Sequence, residues 1–368
     1  MKKKNLCKTL LKTICIVLGI LILALLAYIV YLYASYYRIE DNQELVVEAP
    51  VDDTTTGAAA VLATDTEYSA VTYNIGFGAY LPDYSFFMDG GTSSWAESPE
   101  TVQYAINGAG ELVKSLDPDF ALIQEIDLDA TRSYHTDEYE MLRNILPEYT
   151  TVFAQNYDSA FLFYPFTQPH GSSRAGLGLF SKYPVSSALR RSFPISTSFS
   201  KFFDLDRCYS VSRIPVDNGK ELVIFNLHMS AYGNSDEIRK GQIEMLCNDM
   251  AKEYEAGNYV LCGGDFNHDL KASEEDTESC ESWAFPFPRT ELPEHFAFCL
   301  DLLSSEEQAA LWNSARNADM EYVPGVTYTV TLDGFIISDN IECLSYENVN
   351  TGYSYSDHDP VKMEFVLK

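Results

Sequence analysis

The chain has 368 residues and a formal net charge of −29 at pH 7, from 54 acidic and 25 basic residues. This length suffices for one large domain or two ordinary ones. A protein that grips a nucleic-acid duplex needs Lys and Arg to neutralise phosphates, so the charge argues against tight duplex binding. An acidic cleft instead suits a cation-dependent enzyme, which could still cleave a weakly held nucleic acid.

The N-terminal segment is predicted to be a membrane anchor. Lysines in residues 1–12 precede an uncharged segment, residues 13–37, that is long and apolar enough to cross a bilayer as a helix. Tyrosines crowd its far end, as in an aromatic interface belt. A cleaved signal peptide is the alternative, but its apolar region would be shorter and would end in small residues. With the anchor retained, the basic tail stays in the cytoplasm and the remainder lies outside the cell membrane, as a single-pass protein.

Residues 38–66 are predicted to be a stalk, because they are acidic, rich in Thr and Ala, and lack periodicity. No repeat or boundary divides residues 67–368, which are therefore expected to form one domain. Two long loops inside it, residues 81–98 and 272–326, are expected to rim a site at the strand ends.

Cysteines of the exported part would meet an oxidising compartment, so a disulfide can form. Cys280 with Cys299 is the first candidate pair. For Cys247 and Cys262 we expect buried free thiols, as is usual for apolar surroundings. No cysteine spacing suggests a zinc site.

Apolar strand-like runs alternate with helical stretches in the predicted domain. Strands are predicted at residues 69–76, 119–126, 175–183, 220–229, 258–266, 328–337 and 359–367. Helices are predicted at residues 99–114, 138–146 and 235–254 from the spacing of their apolar positions. Alternation of this kind, with strands buried on both faces, predicts a layered α/β fold.

Functional side chains follow nearly every predicted strand. They are Asn74, Glu125, His228, Asp265 with Asn267, and Asp357 with His358 before the last strand. Carboxylates and amides gathered without cysteine suit a hard cation such as Mg²⁺ or Mn²⁺, and histidines add proton transfer near neutral pH. An Asx-rich turn is the alternative for the GGDFNHD stretch. Phosphate-loop and serine-nucleophile signatures are absent from the sequence.

The resemblance to a known family rests on seven motifs in a fixed order: TYNIG, LIQEID, LGLFSKYPV, FNLHM, GGDFNHD, LDGFIIS and YSDHDPV. Together they make residues 67–368 resemble the endonuclease/exonuclease/phosphatase superfamily, with its deoxyribonuclease-, sphingomyelinase- and inositol phosphatase-like branches. This resemblance implies a four-layer α/β sandwich, in which two mixed β-sheets lie face to face with helices outside. It also implies metal-dependent hydrolysis of a phosphoester by water.

The resemblance assigns roles position by position. Glu125 resembles the metal carboxylate, Asn74 lies beside the metal and the scissile phosphate, and Asp357 is next to the metal region. Asp265 and Asn267 match the pair that orients the attacking water and holds the phosphate.

The remaining matched positions concern the two histidines. His358 matches the histidine closest to the phosphate, and Asp333 resembles the carboxylate that hydrogen-bonds it. His228 matches the second histidine of the deoxyribonuclease- and sphingomyelinase-like branches, a candidate general acid. A buried, hydrogen-bonded core histidine is the alternative for His228.

Arginines are scarce in this acidic sequence, and some could hold a substrate phosphate. Arg174 and Arg207 are the preferred two, ahead of Arg132 and Arg316, and ordinary ion pairs are the alternative for each. The sequence has neither a basic patch for a duplex nor the basic cluster of inositol phosphatases. We therefore expect a phosphodiesterase rather than a phosphomonoesterase, acting on a membrane-proximal lipid head group or a nucleic acid. An extracellular nuclease and a catalytically silent binding protein are the alternatives.

Overall fold

The computed structural model describes residues 2–52, 61–202, 205–230, 236–273 and 284–368. Contacts divide the chain into an N-terminal unit and a compact body, Ile39–Lys368. The N-terminal unit is a single helix, α1 (Lys2–Ser35), in which Cys7–Ser35 is long and apolar enough to cross a membrane. A signal sequence would pass the same length and composition test.

Among its described residues the body has four α-helices: α2 (Pro99–Leu116), α3 (Glu138–Ile145), α4 (Asp236–Glu255) and α5 (Ser305–Ala310). Local sequence explains where α2 begins, because the Ser98 side chain accepts a hydrogen bond from the Thr101 N–H and Pro99 occupies the first turn. Its buried face carries Val102 and Ile106 at helical spacing. The three helices predicted from the sequence match α2, α3 and α4 to within two residues at each end.

The described strands form two seven-stranded mixed sheets. Sheet I has the order β1 (Gln43–Glu44), β7 (Ser187–Ser192), β8 (Cys208–Pro215), β9 (Glu221–His228), β10 (Tyr259–Asp265), β14 (Asp333–Ser338) and β11 (Phe296–Phe298). Sheet II has the order β15 (Ile341–Asn348), β16 (Val361–Leu367), β3 (Glu67–Asn74), β4 (Phe120–Ala130), β6 (Ser173–Ser181), β5 (Thr150–Asp158) and β2 (Val47–Glu48). A separate short pair joins β12 (Ala315–Arg316) to β13 (Thr329–Val330). Only the β3–β4 and β9–β10 pairs are parallel among the described strands.

The two sheets pack face to face around one apolar core. Phe120 and Leu122 of sheet II share this core with Phe225 and Phe335 of sheet I. On the outer face of sheet II, α2 and α3 cover a second core, and α4 contributes to the core of sheet I. This arrangement confirms the predicted four-layer α/β sandwich.

Polar side chains cross the interface between the sheets near their centre. The Gln124 amide donates to Asn226 Oδ1 at 2.8 Å, and the Asn226 amide donates to the Gly178 carbonyl at 3.0 Å. Both side chains are fully buried, so these bonds satisfy groups that would otherwise lose hydration without compensation.

The segment expected to be a stalk, residues 38–66, is partly built into the body. Strand β1 pairs with β7 at the edge of sheet I, and β2 pairs with β5 at the edge of sheet II. Residues 39–48, which we call the strap, thus close one edge of both sheets. Two-residue edge strands need no apolar alternation, which is why their composition resembles that of a linker. Residues 53–60 of the expected stalk lie outside the described residues.

Cysteine positions bear on the expected disulfide. Cys280 lies outside the described residues, so its pairing with Cys299 stays a prediction. Cys299 is buried, and its Sγ lies 3.1 Å from Met363 Sδ. Cys247 and Cys262 are buried free thiols, as expected.

Candidate functional site

The site lies where the parallel strands of both sheets end, an edge that we call the site edge. Asp265 is level with His228 on β9 and with Asp333 on β14. On sheet II, Asn74 at the end of β3 is level with Gln124, the residue before Glu125. Since parallel neighbours end at the same edge, side chains far apart in sequence converge here.

Close approach of two strands explains one glycine of the GGDFNHD motif. Gly264 has φ +147°, and a Cβ on it would lie 2.0 Å from the Leu227 carbonyl oxygen. Any other residue would push β10 away from β9 and separate Asp265 from His228.

Glu125 reaches the site through an irregularity in β4. The pairing of β4 with β6 shifts between Ile123 and Ile126, and Glu125 between them has φ +56°. A non-glycine residue in this left-handed conformation costs about 1–3 kcal/mol, which neighbouring packing must offset. The bulge lets a carboxylate face the site while apolar residues before and after it stay in the core.

Asn74 joins the carboxylates of the two sheets. Its Nδ2 donates to Glu125 Oε1 at 3.1 Å and to Asp265 Oδ2 at 3.0 Å, and its Oδ1 accepts from the Gly76 N–H at 3.0 Å. The Ser356 hydroxyl donates to the Asn74 carbonyl at 2.8 Å, which ties the loop before β16 to the end of β3. A neutral amide thus separates two like charges and fixes both.

Both histidines turn Nε2 toward the same carboxylate. Asp265 Oδ2 lies 3.3 Å from His228 Nε2 and 3.8 Å from His358 Nε2. His228 Nε2 is also 3.9 Å from Glu125 Oε1. Asp265 is therefore the centre of the cluster, bordered by two imidazoles and one amide.

A buried carboxylate orients His358. Asp333 Oδ2 lies 2.7 Å from His358 Nδ1 and accepts the Ser314 hydroxyl, also at 2.7 Å. Asp333, with help from Asp265, raises the pKa of His358 well above its usual range, against the opposing effect of burial. The ring is accordingly charged at neutral pH.

His228 has the opposite protonation. Burial lowers its pKa well below the usual range, and the positive charges of Arg207 and His358 lower it further. Its Nδ1 has no hydrogen-bond partner within the described part of the chain. The site thus pairs one charged and one neutral imidazole.

Two carboxyl groups of the site hold protons unusually strongly. Burial raises the pKa of Asp265 to about 7, and the nearby charge of Asp333 adds to this effect. Burial likewise raises the pKa of Asp357 to about 6, with Glu125 contributing. At both groups burial and a neighbouring carboxylate outweigh the positive charge of His358, an imbalance that a bound cation would relieve.

The donor set fits a hard divalent cation. Glu125, Asp357 and Asn74 offer oxygen atoms, and no cysteine takes part among the described residues of the site. A second group, Asp265, Asp333 and His358, brings possible ligand atoms within 4.8 Å of one another. Asp333 Oδ2 is already bonded to His358 and Ser314, whereas Asp333 Oδ1 has no hydrogen-bond partner among the described residues.

Asn267 sits at the border of the cluster. It has φ +50°, and its N–H donates to Asp265 Oδ1 at 2.8 Å. Its side-chain amide donates to the Met229 carbonyl at 2.9 Å. These bonds hold the turn after β10 against the end of β9, so the Asx turn considered from sequence is present together with the cluster.

Two arginines preferred from sequence lie in different surroundings. Arg207 is 7% exposed, and its Nε and Nη1 have no hydrogen-bond partner among the described residues. Of all neighbouring charges, that of Arg207 lowers the pKa of His228 most. Arg174 is half exposed and pairs with Asp129 at 3.5 Å. The structure therefore brings Arg207, and not Arg174, to the site.

The other two arginines are engaged structurally. Arg132 makes a two-pronged ion pair with Asp127, at 2.8 and 3.1 Å, beneath the ring of Phe77. Arg316 donates to backbone carbonyls, including that of Leu81 at 2.9 Å. The Arg132 guanidinium is thus committed to Asp127, whereas Nε of Arg316 has no hydrogen-bond partner among the described residues.

Sequence reasoning missed two serines of the site. Ser314 lies in the long loop of residues 272–326, where no periodicity or motif marks it. Ser356 belongs to the YSDHDPV motif, but only its contact with Asn74 reveals its role. Ser314 holds Asp333 and Ser356 holds the end of β3, each through a hydrogen bond. The spacing of residues in a sequence does not indicate such contacts.

Solved structures share this fold. A protein from Bacteroides vulgatus described as endonuclease/exonuclease/phosphatase has a TM-score of 0.55 and 17% identity, over 83% of this chain and 100% of its own. TDP2 of D. rerio, complexed with a single-stranded DNA product, has a TM-score of 0.54 and 14% identity over 82% and 99%. ANGEL2, described as a 2′,3′-cyclic phosphatase, has a TM-score of 0.56 and 12% identity over 82% and 96%.

At sequence identities this low, the similarity to these structures shows only the fold. No curated protein matches the chain in sequence. A family model does match, over residues 71–302, which contain Asn74, Glu125, His228 and Asp265. The protein therefore belongs to the endonuclease/exonuclease/phosphatase family.

Proposed function

We propose that the protein is a divalent-metal-dependent phosphoester hydrolase, and that its substrate is a phosphodiester. The observation that carries this proposal is the position of Asp265, between His228 Nε2 and His358 Nε2 and bridged by Asn74 to Glu125. This arrangement offers a base for water, positive charge for a phosphate and oxygen ligands for a cation.

The cation site in this proposal consists of Glu125, Asp357 and Asn74. Mg²⁺ or Mn²⁺ bound there supplies positive charge that stabilises the charge developing on the phosphate oxygens. The raised pKa of Asp357 supports this assignment, since its carboxyl is buried near Glu125 and the positive charges of His358 and Arg316 offset this effect only in part.

Asp265 orients the attacking water and takes its proton at Oδ2. With a pKa of about 7, this carboxyl can exchange a proton near neutral pH. Asn267 keeps the turn after β10 in place, and it is the neutral donor next to Asp265 for a phosphate oxygen.

The histidines divide two tasks. His358, kept charged by Asp333, stabilises negative charge on the phosphate. His228 is neutral without substrate, and an anionic phosphate beside it would favour its charged form. It then protonates the leaving oxygen from Nε2, as a general acid must.

The place of action is the cell membrane in this proposal. Helix α1 anchors the chain with residues 1–12 in the cytoplasm and the body outside. A lipid phosphodiester is the favoured substrate class, because an acidic body disfavours tight binding of a duplex. An extracellular nuclease acting on weakly held strands is the second candidate.

The test uses the full chain in detergent with bis-p-nitrophenyl phosphate, p-nitrophenyl phosphate, DNA and sphingomyelin. Hydrolysis should require Mg²⁺ or Mn²⁺, stop in EDTA, and favour diesters over the monoester. His358→Ala should lower kcat by about a hundredfold or more.

His295→Ala is the matched control, because that histidine is exposed and pairs with Asp339 at 2.7 Å, away from the site. It should leave hydrolysis unchanged. A folded chain that binds the metal but cleaves none of the substrates would contradict the proposal and favour a silent binding protein. Preference for DNA over the lipid would favour the nuclease.

A further inference from the structure

A charge-free aromatic loop projects from the site edge of sheet II. Residues 159–172, which we call the aromatic loop, join β5 to β6 and contain no Asp, Glu, Lys or Arg, in a chain with 21% charged residues. Strand β4 runs from Glu125 at the site to Ala130 at its end, and Ala130 pairs with Ser173, the first residue after the loop. It therefore lies on the same side of the molecule as the site.

The tip of this loop exposes its rings to solvent. Phe166 is 85% exposed, Tyr164 64% and Phe163 50%, and neighbouring Met88 is 58% exposed. Tyr164 packs on Phe87 with ring centroids 5.8 Å apart, so the residues form one patch. An exposed group of large apolar side chains on a soluble body indicates a surface that contacts something else.

The base of the aromatic loop is fixed. Leu162 and Gly171 exchange backbone hydrogen bonds of 3.0 Å, and the Trp95 indole donates to the Pro169 carbonyl at 2.6 Å. The Gln168 side chain accepts from the Ser94 N–H at 3.0 Å. The aromatic tip is thus held outward by its base, and does not fold back to bury its rings.

The described body begins at this same edge. Helix α1 ends at Ser35 and the body begins at Ile39, whose N–H donates to Asp206 at 3.1 Å. Asp206 precedes Arg207, the cation beside His228.

We propose that the aromatic tip, Phe163, Tyr164 and Phe166, docks into a phosphatidylcholine-like bilayer surface, so that the site receives phosphodiesters from lipid head groups. This inference rests on the membrane anchor of the proposed function and deepens it. Aromatic side chains partition to the bilayer interface, and the absence of charge in the loop removes the cost of burying any. A net charge of −29 disfavours anionic lipid, so apolar insertion and not electrostatic attraction carries the docking.

The test is independent of catalysis. Full chain carrying Phe166→Trp is reconstituted into phosphatidylcholine vesicles with and without brominated acyl chains. The matched control is Leu344→Trp, which is 44% exposed on β15 near the level of Tyr68, at the opposite end of sheet II. Emission from the native tryptophans is subtracted with the unsubstituted chain.

Emission of the added tryptophan at position 166 should shift to the blue and be quenched by brominated lipid, while that at position 344 should not. If the tryptophans at positions 166 and 344 have the same emission, with and without brominated acyl chains, the proposal is wrong. The aromatic tip would then be a surface for a protein partner. As a second readout, Phe163→Ser with Phe166→Ser should lower hydrolysis of vesicle lipid several-fold but not that of bis-p-nitrophenyl phosphate. If brominated lipid quenches the two added tryptophans equally, only the docking proposal is contradicted. If the unsubstituted chain hydrolyses none of the substrates, the proposed function is contradicted.

Discussion

Arg207 shows how much a single buried charge can contribute to a site. Its guanidinium is nearly inaccessible, yet two of its nitrogens lack partners among the described residues. Leaving such donors unsatisfied costs free energy unless a ligand completes them. We therefore propose that Arg207 binds a non-bridging oxygen of the substrate phosphate.

Replacing Arg207 with Gln should raise KM for a phosphodiester by about tenfold to a hundredfold, the equivalent of a charge-assisted hydrogen bond of about 1.5–3 kcal/mol. Steady-state kinetics on bis-p-nitrophenyl phosphate would measure the change. Arg174→Gln is the matched control, since that side chain is half exposed and paired with Asp129, and KM should change less than about twofold. Equal kinetics of the two variants would exclude the assignment.

At the scale of elements, the strap depends on one arginine of β7. Arg190 is fully buried, and its guanidinium donates to the carbonyls of Gln155 at 2.7 Å, Glu40 at 3.1 Å and Asp206 at 2.9 Å. These bonds hold the strap, the end of β5 and the segment before β8 together. The strap, which joins the two sheet edges, is therefore held in place by the buried guanidinium of Arg190.

Arg190→Leu should lower the free energy of unfolding by about 3 kcal/mol or more, because three carbonyls, one of them in a fully buried bond, lose a charged donor. Thermal or urea unfolding of the full chain in detergent would show it. Lys114→Ala is the comparison: its pair with Glu111 spans 4.0 Å with both side chains about half exposed, and should be worth less than about 0.5 kcal/mol. If both changes had the same small effect, the strap would not stabilise the body.

At the scale of the whole molecule, stability should depend on pH through buried neutral groups. Burial, together with the charge of Arg132, lowers the pKa of His170 to about 3. An unfolded histidine titrates near 6.5, so between about pH 6.5 and 3 the unfolded chain binds a proton that the folded chain refuses. The folded state therefore loses stability as the pH falls through this window.

His170→Gln removes this contribution, which is up to about 3 kcal/mol between pH 7 and pH 4. The difference in unfolding free energy between those two pH values should become smaller than in the unsubstituted chain, as measured by urea unfolding. His295→Gln changes an exposed histidine and should leave the difference nearly unaltered. An unchanged pH dependence in His170→Gln would show that the ring is not kept neutral by burial.

Much of the fold follows from local patterns in the sequence. Helices α2, α3 and α4 and strands such as β9 and β10 were predictable because apolar periodicity and turn residues mark them. Strands β5, β7, β8 and β15 were not predicted, since their sequences mix polar and apolar residues without clear alternation or flanking signals. Pairing with a neighbour, and not local preference, makes these segments strands.

The sequence by itself determined the family, the layered architecture and the residues at the strand ends, because motifs and periodicity are local properties. Tertiary structure alone decided which of those residues meet. It placed Asn74 between Glu125 and Asp265 and Ser314 against Asp333, and it separated buried Arg207 from exposed Arg174. Burial and charge proximity depend on contacts between distant segments, and so do the pKa values that distinguish His228 from His358.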